Sequence, residues 1–252
     1  MSGHSKWATI KHAKGIADAK RGQLFTKLTR EIIIAVREGG SNPDANFRLR
    51  LAVQKARDSS MPSDNIERAI KKGAGATEGT SLVEMVLEGY GPSGAAILVQ
   101  AVSDSRNRTV QDVRNIFARN GGNLSESGSV AWIFEQKGLI RVPINNQNSE
   151  ELELLAIDAG AEDVKVEDDS LEIYTKLEDM ERIRRALQEK NIPIDSSELV
   201  MNSKNMVDLD ERASLQTLRL LERLEELDEV QHVHTNADFP AEILEKYKAQ
   251  VH

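Results

Sequence analysis

The sequence predicts an α+β protein of three domains: an N-terminal three-helix unit followed by two ferredoxin-like α/β domains, the last inserted into the middle one. Length is the first reason, because 252 residues at roughly 150 per domain exceed a single compact core. Charge is the second. Residues 1–77 hold 15 Lys and Arg against 7 Asp and Glu, and the remainder holds 18 against 34. The third is apolar spacing, which keeps a helical period as far as Lys72 and then breaks into short runs separated by turns. The expected domains are a basic helical domain at 1–77 with a flexible N-terminal arm, a discontinuous α/β domain at 80–136 and 204–252, and an inserted βαββαβ domain at 137–203.

The first 22 residues carry only Met1, Trp7, Ile10 and Ile16 as large apolar side chains, too few to anchor a helix. Phe25, Leu28, Ile32 and Ala35 then recur at helical spacing until Gly39 and Gly40 stop the helix. A second helix begins near Asp44, with Leu49, Ala52, Val53 and Ala56 as its stripe. The third follows Met61 and Pro62, where Asp64 with Glu67 reads as a capping box, and ends with Lys71 and Lys72 before Gly73. Gly73–Thr80 has no apolar period and reads as a flexible linker. Strands are expected at Val83–Tyr90, Ala95–Ser103 and Val130–Glu135, with a helix at Thr109–Arg119. From Gly138 the order is strand Leu139–Val142, helix Glu150–Ala159, strands Asp163–Glu167 and Leu171–Thr175, helix Leu177–Lys190 and strand Ser197–Met201. That is the split order of a ferredoxin-like unit. A helix carrying Leu209, Ala213, Leu220, Leu224 and Leu227, then a strand at Val230–Thr235, close the middle domain.

Several function classes are excluded. No apolar run exceeds five residues (Ile32–Val36, Ala95–Val99), so neither a bilayer-spanning helix nor a secretory signal is expected. The absence of Cys excludes disulfides, thiolate zinc sites and a cysteine nucleophile, and the expected compartment is the cytoplasm. GAGATEG and GYGPSG lack the spacing and flanks of phosphate loops and read as turns. His232 and His234 would face the same way on a strand, without a third ligand nearby to complete a metal site. No catalytic residue, metal, cofactor, membrane contact or small-molecule substrate is expected.

The basic N-terminus is the strongest functional signal. Lys6, Lys11, His12, Lys14, Lys20, Arg21 and Lys27 can meet phosphates, while Trp7 offers a ring face to an unpaired base or, alternatively, fills a core. Phosphate contacts give affinity and no sequence choice. Between a strand and a helix, Arg106 and Arg108 could hold a phosphate, or stand solvated while Ser105 or Asn107 caps the helix. Gly121, Gly122 and Asn123 read as a helix stop, or as close backbone approach to a ligand. The expected partner is nucleic acid, DNA or ribosomal RNA, with the ribosome as the larger assembly; the alternative is a protein-interaction adaptor using the acidic body.

Several segments together carry a resemblance. They are GHSKWATIKHAKGIADAKRGQLFTKLTREI at the start, MPSDNIERAIKKG (61–73), EGYGPSGAA (88–96), SRNRT (105–109), NGGNL and GSVAWIF (120–134), and VHTNADFP (233–240). In order and almost end to end, they resemble the YebC family. That resemblance implies a helical N-terminal domain, two α/β domains of ferredoxin-like character and no enzyme activity. It also implies one of two roles: a DNA-binding transcriptional regulator, or a ribosome-associated factor that eases synthesis through proline runs. The chain departs from the family's pattern at Leu87, Ser103, Ser105 and Ser125.

Overall fold

The computed structural model of the chain describes residues 18–75, 82–144, 148–167 and 170–251. The elements are, in order, α1 (Asp18–Gly39), α2 (Phe47–Asp58), α3 (Ser63–Ala74), β1 (Val83–Tyr90), β2 (Ala96–Ser103), α4 (Arg106–Arg119) and β3 (Asn123–Leu124). Then come β4 (Phe134–Pro143), α5 (Ser149–Asp158), β5 (Asp163–Glu167), β6 (Ser170–Thr175), α6 (Met180–Glu189) and β7 (Ser196–Ser203). The chain closes with β8 (Val207–Asp208), α7 (Glu211–Glu225), β9 (Val230–Thr235), β10 (Ala237–Asp238) and α8 (Ala241–Val251). It divides into two compact units, Met1–Phe134 with Ser203–His252, and Glu135–Asn202.

The three N-terminal helices form because their apolar residues fall on one face each and close around a common core. Leu28, Ile32, Ile33 and Val36 of α1 meet Leu49 and Val53 of α2 and Ile66 and Ala69 of α3. Helix α2 starts at Phe47, later than its sequence suggests, because Asn46 is the cap: its Oδ1 accepts from the Leu49 N–H at 3.0 Å. The same side chain donates to Ala35 O and Gly40 O, which ties the end of α1 to the start of α2. The capping box expected at Asp64 and Glu67 does not form. Pro62 precedes the first turn, Ser63 begins the helix, and no side chain caps it. Gly73 belongs to this helix and not to a linker, because a Cβ there would meet Val36 Cβ at 2.7 Å and Ile33 O at 3.0 Å. The glycine is what lets α3 lie close to α1. The rest of the expected linker, beyond Gly75, lies outside the described residues.

The middle sheet has the order β3-β1-β2-β9, antiparallel throughout. Alternation puts Met85, Leu87, Ile97 and Val99 on one face, where Val113 and Phe117 of α4 and Leu220, Leu221 and Leu224 of α7 cover them. Helix α8 joins the same core through Ile243, Leu244 and Tyr247.

One expected strand is absent as such. Val130–Glu135 is a loop with a short 3-10 turn at Ala131–Ile133, and the strand begins at Phe134 and runs on to Pro143. The reason is that the backbone N–H groups of Val130 and Ala131 are bound to the Glu88 carboxylate and are not offered to a sheet. The inserted unit has sheet order β5-β6-β4-β7, which is second, third, first and fourth in its own βαββαβ order and therefore ferredoxin-like. Within it Arg141 bridges Glu172 at 3.0 Å and Glu198 at 2.6 Å, and the Tyr174 hydroxyl donates to the second oxygen of Glu172. A nearly buried carboxylate is thus fully partnered.

Candidate nucleic-acid interface

The basic residues of the helical unit divide into two groups. From Gln23 onward they are mostly engaged by the protein itself. On α1, Gln23, Lys27 and Arg30 lie on one face at helical spacing and donate to Glu226 O, Glu225 O and Asp228 O respectively, the Lys27 bond being 2.5 Å. These acceptors sit at the C-terminal end of α7, where carbonyls lack helical partners and the helix dipole favours positive charge. Arg48 of α2 reaches Glu38 at 2.5 Å and Glu84 of β1 at 2.6 Å. Lys55 meets Glu31 at 3.3 Å, Arg68 meets Asn65 and Asp64 O, and Arg37 donates to Leu82 O. Lys27, read from sequence as a phosphate contact, is thus a docking residue.

The second group lies before Gln23. Arg21 is exposed at the start of α1 and Lys20 lies in the same helix. Lys6, Trp7, Lys11, His12 and Lys14 lie outside the described residues.

The two arginines after β2 are not brought together on one ligand. Arg108 pairs with Asp104 at 2.7 Å and with Glu229 at 3.4 Å, and Glu229 also faces Arg30 at 3.8 Å. Arg106 points instead to a surface groove beside β1. Ser105 holds the N-cap position of α4 without a side-chain cap bond; its own N–H is taken by the Ser103 hydroxyl at 3.0 Å. Gly121, Gly122 and Asn123 serve the fold. Gly121 takes φ +77° to end α4, Gly122 donates to Phe117 O, and a Cβ on Gly122 would meet Tyr90 O at 2.7 Å. Asn123 pairs with Tyr90 as part of β3. The close approach read from these glycines is to the chain's own backbone.

His232 and His234 do face the same way, with ring centroids 6.0 Å apart, and His234 Nε2 lies 3.3 Å from Gln100 Oε1. Among the described residues no group of three or more His, Cys, Asp or Glu could hold a metal ion. Among the same residues no helix is long and apolar enough to cross a membrane.

Sequence reasoning missed Glu88. It is 3% exposed, and its carboxylate accepts from the N–H groups of Gly128, Val130 and Ala131, each at 2.7 Å. Burial acts to raise its pKa, but the backbone donors and Ser127 outweigh that and hold it below the ordinary carboxylate value. The loop's fixed end then carries Trp132, 63% exposed, with its ring N–H bonded to Ser129 O.

The family assignment follows from domain models that match both parts of the chain. Residues 5–76 match the TACO1/YebC N-terminal domain and residues 82–237 match the TACO1/YebC second and third domain. The chain belongs to the YebC family. It is similar to proteins named probable transcriptional regulatory protein, one from Dehalococcoides mccartyi at 61% identity over 99% of this chain and 100% of that one. Another, from Chloroflexus aurantiacus, is 52% identical over 99% of this chain and all of its own length. Among solved structures it resembles a conserved hypothetical protein from Aquifex aeolicus, with TM-score 0.87, 46% identity, and 94% and 98% of the two chains covered. Within this YebC-family chain, three of the segments that carried the resemblance meet in space. Glu88, opening EGYGPSGAA, holds the loop of GSVAWIF, while Asn236, in VHTNADFP, accepts from the Ala96 N–H at 2.7 Å.

Proposed function

We propose that the protein is a non-enzymatic, nucleic-acid-binding regulator of gene expression in the cytoplasm, with RNA of the translating ribosome as its target. One observation carries this reading. Beyond Gln23 the bases of the helical unit are mostly partnered within the protein, whereas residues 1–20 hold Lys6, Lys11, Lys14 and Lys20 against the single acid Asp18. Positive charge is therefore densest in the arm, ahead of a chain that turns acidic beyond residue 77, which is the charge layout of a polyanion-binding tail. The names of the relatives support a regulatory role.

RNA is favoured over sequence-specific duplex DNA because, among the described residues of the helical unit, the helix that ends in basic residues offers few groups to read base edges. Helix α3 carries Arg68, Lys71 and Lys72, but Arg68 is bound to Asn65 and Lys71 faces Glu67 at 3.9 Å. A backbone-and-stacking contact with folded RNA needs only the arm's cations and the Trp7 ring. Positioning alone suffices to help a conformationally locked proline meet its acceptor, without a catalytic side chain.

Filter binding at graded salt tests the arm. Replacing Lys6, Lys11 and Lys14 together by Ala should weaken binding to unrelated RNAs about equally and flatten the salt slope by about one unit for each phosphate no longer neutralised. Trp7→Ala should cost on the order of 1–3 kcal/mol with little change in slope. Unchanged binding by the triple variant would remove the arm from the interface.

A further inference from the structure

We propose that the open edge of β1 is a docking groove for an extended, acidic peptide segment of a partner protein, which adds to the middle sheet as a further strand. The groove, of about 440 Å³, runs between β1 and the N-terminal part of α4. Val86, Leu87 and Leu124 supply apolar surface, and Arg106, Gln111 and Arg114 of α4 polar surface; Glu88 also lines the groove, with its carboxylate already engaged by the backbone N–H groups of Gly128, Val130 and Ala131.

The backbone supplies the first reason. Strand β1 pairs with β2 along its whole length, but on its other side β3 covers only Gly89 and Tyr90. Among the described residues no strand pairs with Val83–Leu87 there. Glu88 O accepts from Ser125 N on that side, so by antiparallel alternation the outward N–H and C=O groups further along are those of Glu84 and Val86. Protein edges of this kind are ordinarily blunted by Lys, Pro or a bulge. Residues Val83–Leu87 contain none of these, and Val83 and Val86 are 42% and 43% exposed. The one charge on the stretch, Glu84, is held by Arg48.

Charge supplies the second reason. Arg106 and Arg114 are exposed, both line the groove, and neither makes an ion pair among the described residues. An incoming strand with carboxylates at the matching positions would complete both.

The same features choose among occupants. Among the described residues no aromatic side chain lines the groove, so an unpaired base would find none of them to stack on. Pairing of two copies through β1 would set the arginines of one α4 against those of the other. A peptide with acidic side chains satisfies both the open backbone and the cations.

The test uses the full chain and two labelled, end-blocked peptides of roughly eight residues, about one strand in length. Both alternate Val and Thr; one carries Glu at its ends and the other Lys. Fluorescence anisotropy should show binding of the Glu peptide and little of the Lys peptide. The double variant Arg106→Glu, Arg114→Glu, whose changes lie on the exposed face of α4, should lose on the order of tenfold for the Glu peptide and gain for the Lys peptide. Amide exchange at Val86 should slow on peptide addition. Val86→Pro removes an outward donor without touching the β2 ladder and should also weaken binding, with its melting curve read alongside. Equal binding of the two peptides, indifference to the charge reversal, displacement of the peptide by a single-stranded oligonucleotide at equal ionic strength, or concentration-dependent dimerisation abolished by the charge reversal would each overturn the proposal.

Discussion

Two charged side chains of this protein show how local surroundings commit a charge to the fold. Glu88 is buried with three backbone N–H donors, and its pKa is held low. A group whose folded pKa lies below its unfolded value stabilises the fold above the unfolded pKa and loses that contribution as pH falls through the folded one. Glu88→Gln should therefore lower stability by about 1–3 kcal/mol at neutral pH, and the gap should close as the pH drops below about 4. Parallel urea titrations across pH measure this, and a gap independent of pH would mean that the carboxylate charge contributes nothing. Lys27 makes a contrasting case. Because its ammonium binds Glu225 O at the end of α7, Lys27→Ala should cost about 1–2 kcal/mol of stability and leave the salt slope of RNA binding unchanged. Arm lysines should do the reverse. A changed slope with unchanged melting would return Lys27 to the interface.

Among the elements, those with a clean apolar period were legible in the sequence. Strands Val83–Tyr90, Asp163–Glu167 and Val230–Thr235 match their expected limits, and the order of the inserted βαββαβ unit is as read. What the sequence hid were decisions made by distant groups. Nothing local to Val130 announces that its N–H will meet a carboxylate from Glu88, so an apolar run that reads as a strand becomes a loop. Likewise GAGATEGT reads as linker from its first glycine, although Gly73 is fixed in α3 by the nearness of Val36. Gly73→Ala should then destabilise the helical unit by about 1–3 kcal/mol, in spite of the better helix propensity of alanine, as a thermal melt would register. A stabilised variant would mean that the helices do not approach so closely there. Helix α8 escapes the sequence reading although Ile243, Leu244 and Tyr247 have the right spacing, because it follows a strand that already closes the middle domain. The candidate site was legible as a charge pattern only. Its cations could be found from composition, but which of them the body itself would claim depended on where α7 ends.

Across the whole molecule, a positive arm of few apolar residues precedes a helical unit whose own cations are largely paired, and an acidic α/β body follows. In the proposed arrangement the arm would supply affinity for a polyanion, and the open edge of β1 a separate surface for a protein. We propose that this YebC-family chain acts on the translating ribosome through the arm. The most direct measurement is the yield of a reporter with consecutive prolines, relative to a matched reporter without them, in a purified translation system. The wild-type chain should raise that ratio, and the chain with Lys6, Lys11 and Lys14 replaced by Ala should not, while melting at the same temperature. A ratio unaffected by the wild-type chain, together with tight and sequence-selective binding to one promoter duplex at physiological salt, would contradict it.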